Sequence, residues 1–267
     1  MNGSPSSGPP WSYRDAVWPA PLSNLAASFA HFGLHLRHLL NPRRSWPYYL
    51  LALLPVLGSA GLARLAIDDA SRIGTFFQEF AMRALALCAL GLGVGVFRED
   101  ADSGALPMLL LRPRAVVALP LGRWLAVTLF CTLLGGAMVL GIDATLFGTP
   151  FSVSSGYFVR QVAAVVFGAM AYAGVFMAIG AWFKSGTGFG LGFLLIVDLI
   201  MATQVESLAR LSPAHYLAAL VQTLPGKELA AAQTADQIPG ALLGLLGLAA
   251  LGCVASVLRL RMDPPGA

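Results

Sequence analysis

Residues 97–114 read FREDADSGALPMLLLRPR. Arg98, Glu99, Asp100 and Asp102 crowd together, and an apolar patch, two prolines and two arginines follow. Long apolar runs, 77–97 and 124–147, flank the segment. A bilayer's hydrocarbon core is about 30 Å thick and takes about 20 apolar residues of helix to cross. Residues 97–123 are too polar to stay in lipid and too apolar for a free linker. They read as an elbow between two membrane crossings.

Composition agrees with that reading. Of 267 residues, 57% are hydrophobic and 11% charged, with mean hydropathy +0.73, whereas a soluble domain carries about 25% charge. Apolar runs at 46–65, 77–97, 124–147, 162–183, 189–204 and 238–258 predict six spans. The fold class is therefore an all-α membrane protein. The fifth run is the shortest, and Asp198 interrupts it. The formal charge of +4 is read as orientation against the cytoplasmic leaflet, with no nucleic-acid partner. With both termini inside, the cytoplasm receives Arg14, Arg37, Arg43, Arg44, Arg98, Arg112, Arg114, Arg123, Lys184, Arg259 and Arg261. The outer side keeps only Arg64, Arg72, Arg83, Arg160, Arg210 and Lys227. The 97–123 elbow is then cytoplasmic.

The remaining organisation is expected as follows. Residues 1–21, rich in Pro, Ser and Gly and without a basic stretch leading into an apolar core, predict a disordered tail and no cleavable signal. Residues 22–44 predict an amphipathic interfacial helix. Its apolar stripe is Leu22, Leu25, Phe29, Phe32, Leu36 and Leu39, and Asn24, Ser28, His31, His35 and His38 form the polar stripe beside it. The six-span domain fills 45–261, with an outer segment at 205–237 and a short tail at 262–267. Within the outer segment, Ser212 before Pro213 marks a helix start, with Ser as cap and Pro in the first turn. The three cysteines, Cys88, Cys131 and Cys253, lie inside apolar runs without paired spacing and read as buried hydrophobes.

Chemistry-bearing patterns are few. There is no G-x-x-x-x-G-K-[ST], so this chain does not hold ATP through that loop, and no H-E-x-x-H or G-x-S-x-G points to hydrolysis. His31, His35 and His38 share a helical face but have no Cys or carboxylate nearby to complete a metal site. Glu79 and Arg83 stand four apart and predict an intrahelical pair. Gly91, Gly93 and Gly95 lack the dinucleotide spacing and predict close helix packing. Asp198 is the sharpest intramembrane signal, because a carboxylate at a span centre costs about 2.5–3.5 kcal/mol. It must face a substrate path, a subunit contact or, if the span is drawn a turn off, the surface.

In the elbow itself, Leu106 and Met108 to Leu111 need a cover, either headgroups or a protein groove. Ser103 caps a short helix there, Gly104 permits close approach, and Pro113 and Pro120 end regular structure. The run FREDADSGALPMLLLRPRAVVALPLGRWLA resembles the signature of the type-2 ABC transporter permeases. An acidic residue, then Gly-Thr-Leu, a Leu pair, a Pro and Gly-Lys entering the third span make up that signature. Glu99, Gly104, Leu106, Leu109, Leu110, Pro113 and Gly122 match it. Ala105 stands where Thr is usual, Arg123 stands for the Lys, and the Ser-Arg after the Pro is missing.

The resemblance implies a permease subunit that pairs with a second one, usually as a homodimer. Each docks a separate cytoplasmic ATPase, which carries the ATP and Mg; this chain itself holds no cofactor and is not an enzyme. Glu99, Asp102, Ser103, Gly104, Leu106, Met108 and Leu109 would then make the ATPase-coupling surface. Gly91, Gly95 and Asp198 would line the translocation path or dimer interface. Membrane lipids, a periplasmic accessory protein and a bacterial inner membrane complete the expected setting. The runner-up is a polytopic scaffold or channel-like subunit without ATP coupling. A membrane enzyme would have only Asp198 and His215 to work with, and neither has a partner at catalytic spacing in the sequence.

Overall fold

The computed structural model describes residues 20–64, 70–102, 115–147, 155–201, 210–221 and 237–262. They form helices α1 Ala20–Leu39, α2 Pro42–Arg64, α3 Ala70–Asp102, α4 Ala115–Phe147, α5 Ser155–Trp182, α6 Gly186–Gly192, α7 Pro213–Val221 and α8 Gln237–Met262. Directly after α6 the chain loosens into a π-helical segment, Phe193–Met201.

Five stretches are long and apolar enough to cross a membrane: Pro42–Arg64, Phe76–Arg98, Val116–Leu146, Val159–Trp182 and Ile238–Met262. The chain is a multi-pass membrane protein. Among the described residues, the run expected as a fifth span differs from these, since its apolar helix covers Gly186–Asp198. At a rise of 1.5 Å per residue that is about 20 Å, short of a hydrocarbon core of about 30 Å.

Small residues decide how the helices approach. Lipid tails are as apolar as Leu, so association depends on close packing and interhelical hydrogen bonds. A Cβ on Gly180 would stand 2.7 Å from the Val94 carbonyl oxygen, and one on Gly93 would be 3.0 Å from Phe176 Cβ. These two contacts clamp α3 to α5. Gly174 meets the Ala249 backbone, with a Cβ falling 2.8 Å from its oxygen, which brings α8 onto α5. Trp182 Nε1 donates to the Ala255 carbonyl at 3.1 Å, and Arg259 lies over the Trp182 ring at 5.6 Å. Trp124 Nε1 donates to the Met170 carbonyl at 3.1 Å and ties α4 to α5.

The core therefore sits among α3, α4 and α5, with Leu85, Phe130, Tyr172 and Phe176 all buried. In α3, 67% of the span is buried, against 17% in α2, so α2 turns most of its surface outward. Pro47 and Pro55 sit inside α2. The three cysteines are free and buried, as their setting in apolar runs predicts.

Helix α1 lies across α4 at Gly122, against the Ser28 carbonyl, His31 Cβ and the Phe32 nitrogen. Ser28 is buried there, whereas Leu25 and Phe29 are exposed. The small polar residues thus face the protein and part of the apolar stripe faces out, because only a side-chain-free site such as Gly122 lets two helices touch so closely.

Candidate functional site

Asp198 lies in the π-helical segment, opposite the start of α7. Tyr172 Oη, on α5, donates to Asp198 Oδ2 at 2.6 Å. Ser212 Oγ donates to Oδ1 at 2.5 Å, and the Ala214 backbone N–H donates to the same oxygen at 3.1 Å. Ser212 Oγ in turn accepts the His215 N–H at 3.4 Å. The helix beginning read at Ser212-Pro213 is present, and it carries an unforeseen second layer. The Ser hydroxyl accepts from the third helical N–H, while the carboxylate takes the second.

This arrangement answers how a charge survives deep in the bundle. Tyr172 is the eighteenth residue of α5 and lies in the middle of the Val159–Trp182 span. A carboxylate at that depth needs donors, and here it has two hydroxyls, a backbone amide and the positive end of a helix dipole. The donors are themselves sealed in, with Ser212 0% and Tyr172 2% exposed. Leu217 meets Gly168 on α5, where a Cβ would fall 3.0 Å away, and Tyr216 packs over Gly244 on α8. Helix α7 is thus wedged between α5 and α8 and pinned at its start by Asp198. His215 is exposed and turns its ring to Tyr216 at 5.3 Å, so the two loose enzyme candidates, Asp198 and His215, do not form a dyad.

Gly91 and Gly95 lie elsewhere. A Cβ on Gly91 would fall 2.8 Å from the Tyr48 hydroxyl, so this side of α3 receives α2. Both glycines line a small cleft of about 70 Å³ with His35, His38, Arg44, Ser45 and Tyr48. Asp198 and the glycine pair therefore belong to different places: one is the α5–π–α7 junction, the other the α1–α2–α3 junction. Of the expected coupling residues, Glu99 and Asp102 fall on α3, which continues as helix to Asp102. Ser103, Gly104, Leu106, Met108 and Leu109 lie outside the described residues. Among the described residues no group of three His, Cys, Asp or Glu side chains converges to hold a metal. His31, His35 and His38 instead pack against α2, α3 and α4 at the α1 crossing.

Two further charged residues stand out in the structure. Asp143, near the end of α4, is 1% exposed and accepts from Gln78 Nε2 of α3 at 3.4 Å. Close by in sequence, Thr145 bonds Ser59 of α2 at 2.7 Å. The signal is the lone Asp in VLGIDATLF. Arg83 is the second. It is exposed although it lies seven residues inside the Phe76–Arg98 span. Elsewhere, an apolar groove of about 540 Å³ runs between α5 and the α6–π segment, lined by Ile179, Phe183, Phe189, Phe193 and Ile196.

No protein-family model matches the chain, and no curated protein matches it.

Proposed function

We propose that this chain is the membrane subunit of an ABC transporter of the type-2 permease kind. It pairs with a second copy and docks one separate cytoplasmic ATPase per copy through residues 97–123. Six crossings with both termini inside, a bacterial inner membrane, and export or ATP-driven motion across it belong to the same reading. The observation that carries it is the 97–114 stretch, an acidic, Gly-containing, Leu-rich and Pro-ended segment between two long membrane helices. Two physical points support it. Helix α3 is continuous from the buried core to Asp102, so force applied at the elbow has a stiff path inward. Arg83 is exposed about 10 Å inside the end of its span. A cation at that depth demands an aqueous path or a partner subunit.

In this reading the short α6–π segment and the outer α7 together occupy the place of the fifth crossing. The groove beside them and the Arg83 face of α3 turn toward the second copy or the path. Copurification with its candidate ATPase tests the proposal. The two should form a stable complex whose ATPase activity falls when Glu99 and Gly104 are replaced. A chain and ATPase that behave independently would end it and favour the scaffold reading.

A further inference from the structure

We propose that the cleft between α1, α2 and α3 is a binding site for one phosphate group, presented on a membrane lipid headgroup.

Position comes first. The cleft is lined by Arg44, Ser45 and Tyr48 from the start of α2, and by Gly91, Gly95 and Val96 from the far end of the Phe76–Arg98 span. Arg44, Ser45, Gly95 and Val96 stand within a turn of the span ends and Gly91 about two turns deeper, so the cleft opens at the edge of the crossing, where lipid phosphates lie. Helix α1 closes the third side with His35, His38 and Leu39.

Chemistry follows. Arg44 and His38 already engage other groups of the chain, so Arg44 contributes oriented positive charge more than spare donors. Arg44 and Tyr48 also sit in the first two turns of α2, at its positive dipole end. His35 Nε2 is buried and has no hydrogen-bond partner. Such an atom forgoes the bond that buried polar groups nearly always make, and an added acceptor would supply it. None of the residues lining the cleft is acidic.

Size agrees as well. About 70 Å³ exceeds what a single water needs, roughly 10–15 Å³, and suits a compact tetrahedral oxyanion. Gly91 keeps the cleft open under the Tyr48 hydroxyl, since any side chain there would meet that oxygen first.

The test uses the full chain in nanodiscs of phosphatidylcholine with and without phosphatidylglycerol, and native mass spectrometry of retained phospholipid. The wild type should keep one phospholipid per chain, with phosphatidylglycerol preferred. Arg44→Gln and, separately, Tyr48→Phe should lower retention about tenfold each, the scale of one charge-assisted hydrogen bond. Melting in phosphatidylcholine alone shows whether each variant is folded. Tyr48→Phe keeps the ring packing, so it decides the matter if Arg44→Gln does not fold. Inorganic phosphate, added to protein in an uncharged detergent and followed by ³¹P line broadening, separates the sources. Retained lipid without broadening identifies the headgroup. Broadening without retained lipid overturns the lipid assignment in favour of a soluble phosphate. Neither signal, or retention unchanged in both variants, overturns the site.

Discussion

Replacing Asp198 with Ala should unlatch α7, and the size of the effect follows from its donors. The change strands the Ser212 hydroxyl, the Tyr172 hydroxyl and the Ala214 N–H, all beside groups that are sealed from solvent. Each unsatisfied buried donor costs about 1–3 kcal/mol. Interhelical bonds in membranes average only about 0.6 kcal/mol and reach about 1.7, because the inserted unfolded chain also finds partners. A carboxylate acceptor with two fully buried hydroxyl donors and a half-buried amide belongs at the upper end of that range, so the expected loss is about 3–5 kcal/mol. The insertion cost of the carboxylate does not offset this, since the unfolded inserted chain carries the same charge.

Tyr172→Phe alone removes one donor and should cost about 1.5 kcal/mol. In the Asp198→Ala background the same change should cost nearly nothing, because the hydroxyl has already lost its acceptor. The coupling is then about 1.5 kcal/mol, well above the ~0.5 kcal/mol at which distant sites add. Denaturing-detergent titration of the four proteins measures it. A cysteine placed at the half-buried Ala219 of α7, packed against the core, gives a local readout, since the three native cysteines are buried. Its labelling should accelerate in Asp198→Ala and remain near wild type in Asp198→Asn, which keeps an acceptor oxygen for Ser212 and Ala214. Equal costs for Tyr172→Phe in both backgrounds would refute the latch.

Three further outcomes are expected. Gly174→Ala forces a methyl against the Ala249 backbone and should cost about 1–3 kcal/mol. Gly136→Ala, with nothing within 4 Å, should be neutral or gain up to about 1 kcal/mol from helix propensity; equal melting of the two would contradict the packing described. His35 is pushed from 6.5 down to about 3, first by burial and then by the charges of Arg123, His38 and Arg44. Its folded value lies below its unfolded one, so its stability contribution is full above pH 6.5 and shrinks as pH falls toward 3, by about 2 kcal/mol at pH 5. Replacing His35 with Asn should flatten the acid limb of a melting-versus-pH curve, and an unchanged limb argues against burial of the neutral ring. Arg83→Leu should leave the isolated chain's melting nearly unchanged while weakening chain–chain association or ATP-coupled activity; no change in either would remove Arg83 as support for the proposed assembly.

Much of the fold was legible because bilayer thickness imposes a length rule that composition alone exposes. The runs beginning near Trp46, Phe77, Trp124, Val162 and Ile238 all lie in helices of spanning length. The rule weakens where a segment is partly shielded by protein. Residues 186–201 need not span the hydrocarbon unaided, since Gly190 packs on Leu90 and Phe193 on Phe176. Asp198 was recognisable as an intramembrane charge, but its role was not. Its partners Tyr172 and Ser212 lie 26 and 14 residues away, and no local pattern joins them. The cap at Ser212 was readable because capping is local. The orientation of α1 was not, since hydrophobic periodicity reports polarity and the deciding factor was the missing side chain at Gly122.

These junctions also constrain where motion can arise. A pull on residues 103–114 acts on α3 and α4, the two helices that bracket them. Helix α3 cannot slide alone on α5, because at Gly93 and Gly180 the two approach almost backbone to backbone. Helix α4 is tied to α5 through Trp124, and α5 carries Tyr172, which holds Asp198 of the π-helical segment and through it α7. The helices α3, α4, α5 and α7 are therefore coupled as one body, and the compliant surface is α2, with 17% of its span buried and two internal prolines. On the proposed function, displacement of the elbow would reach the α7 junction by tilting this body, without any helix unwinding. Cross-linking α3 to α5 should then leave coupling intact, whereas cross-linking α2 to α3 should abolish it.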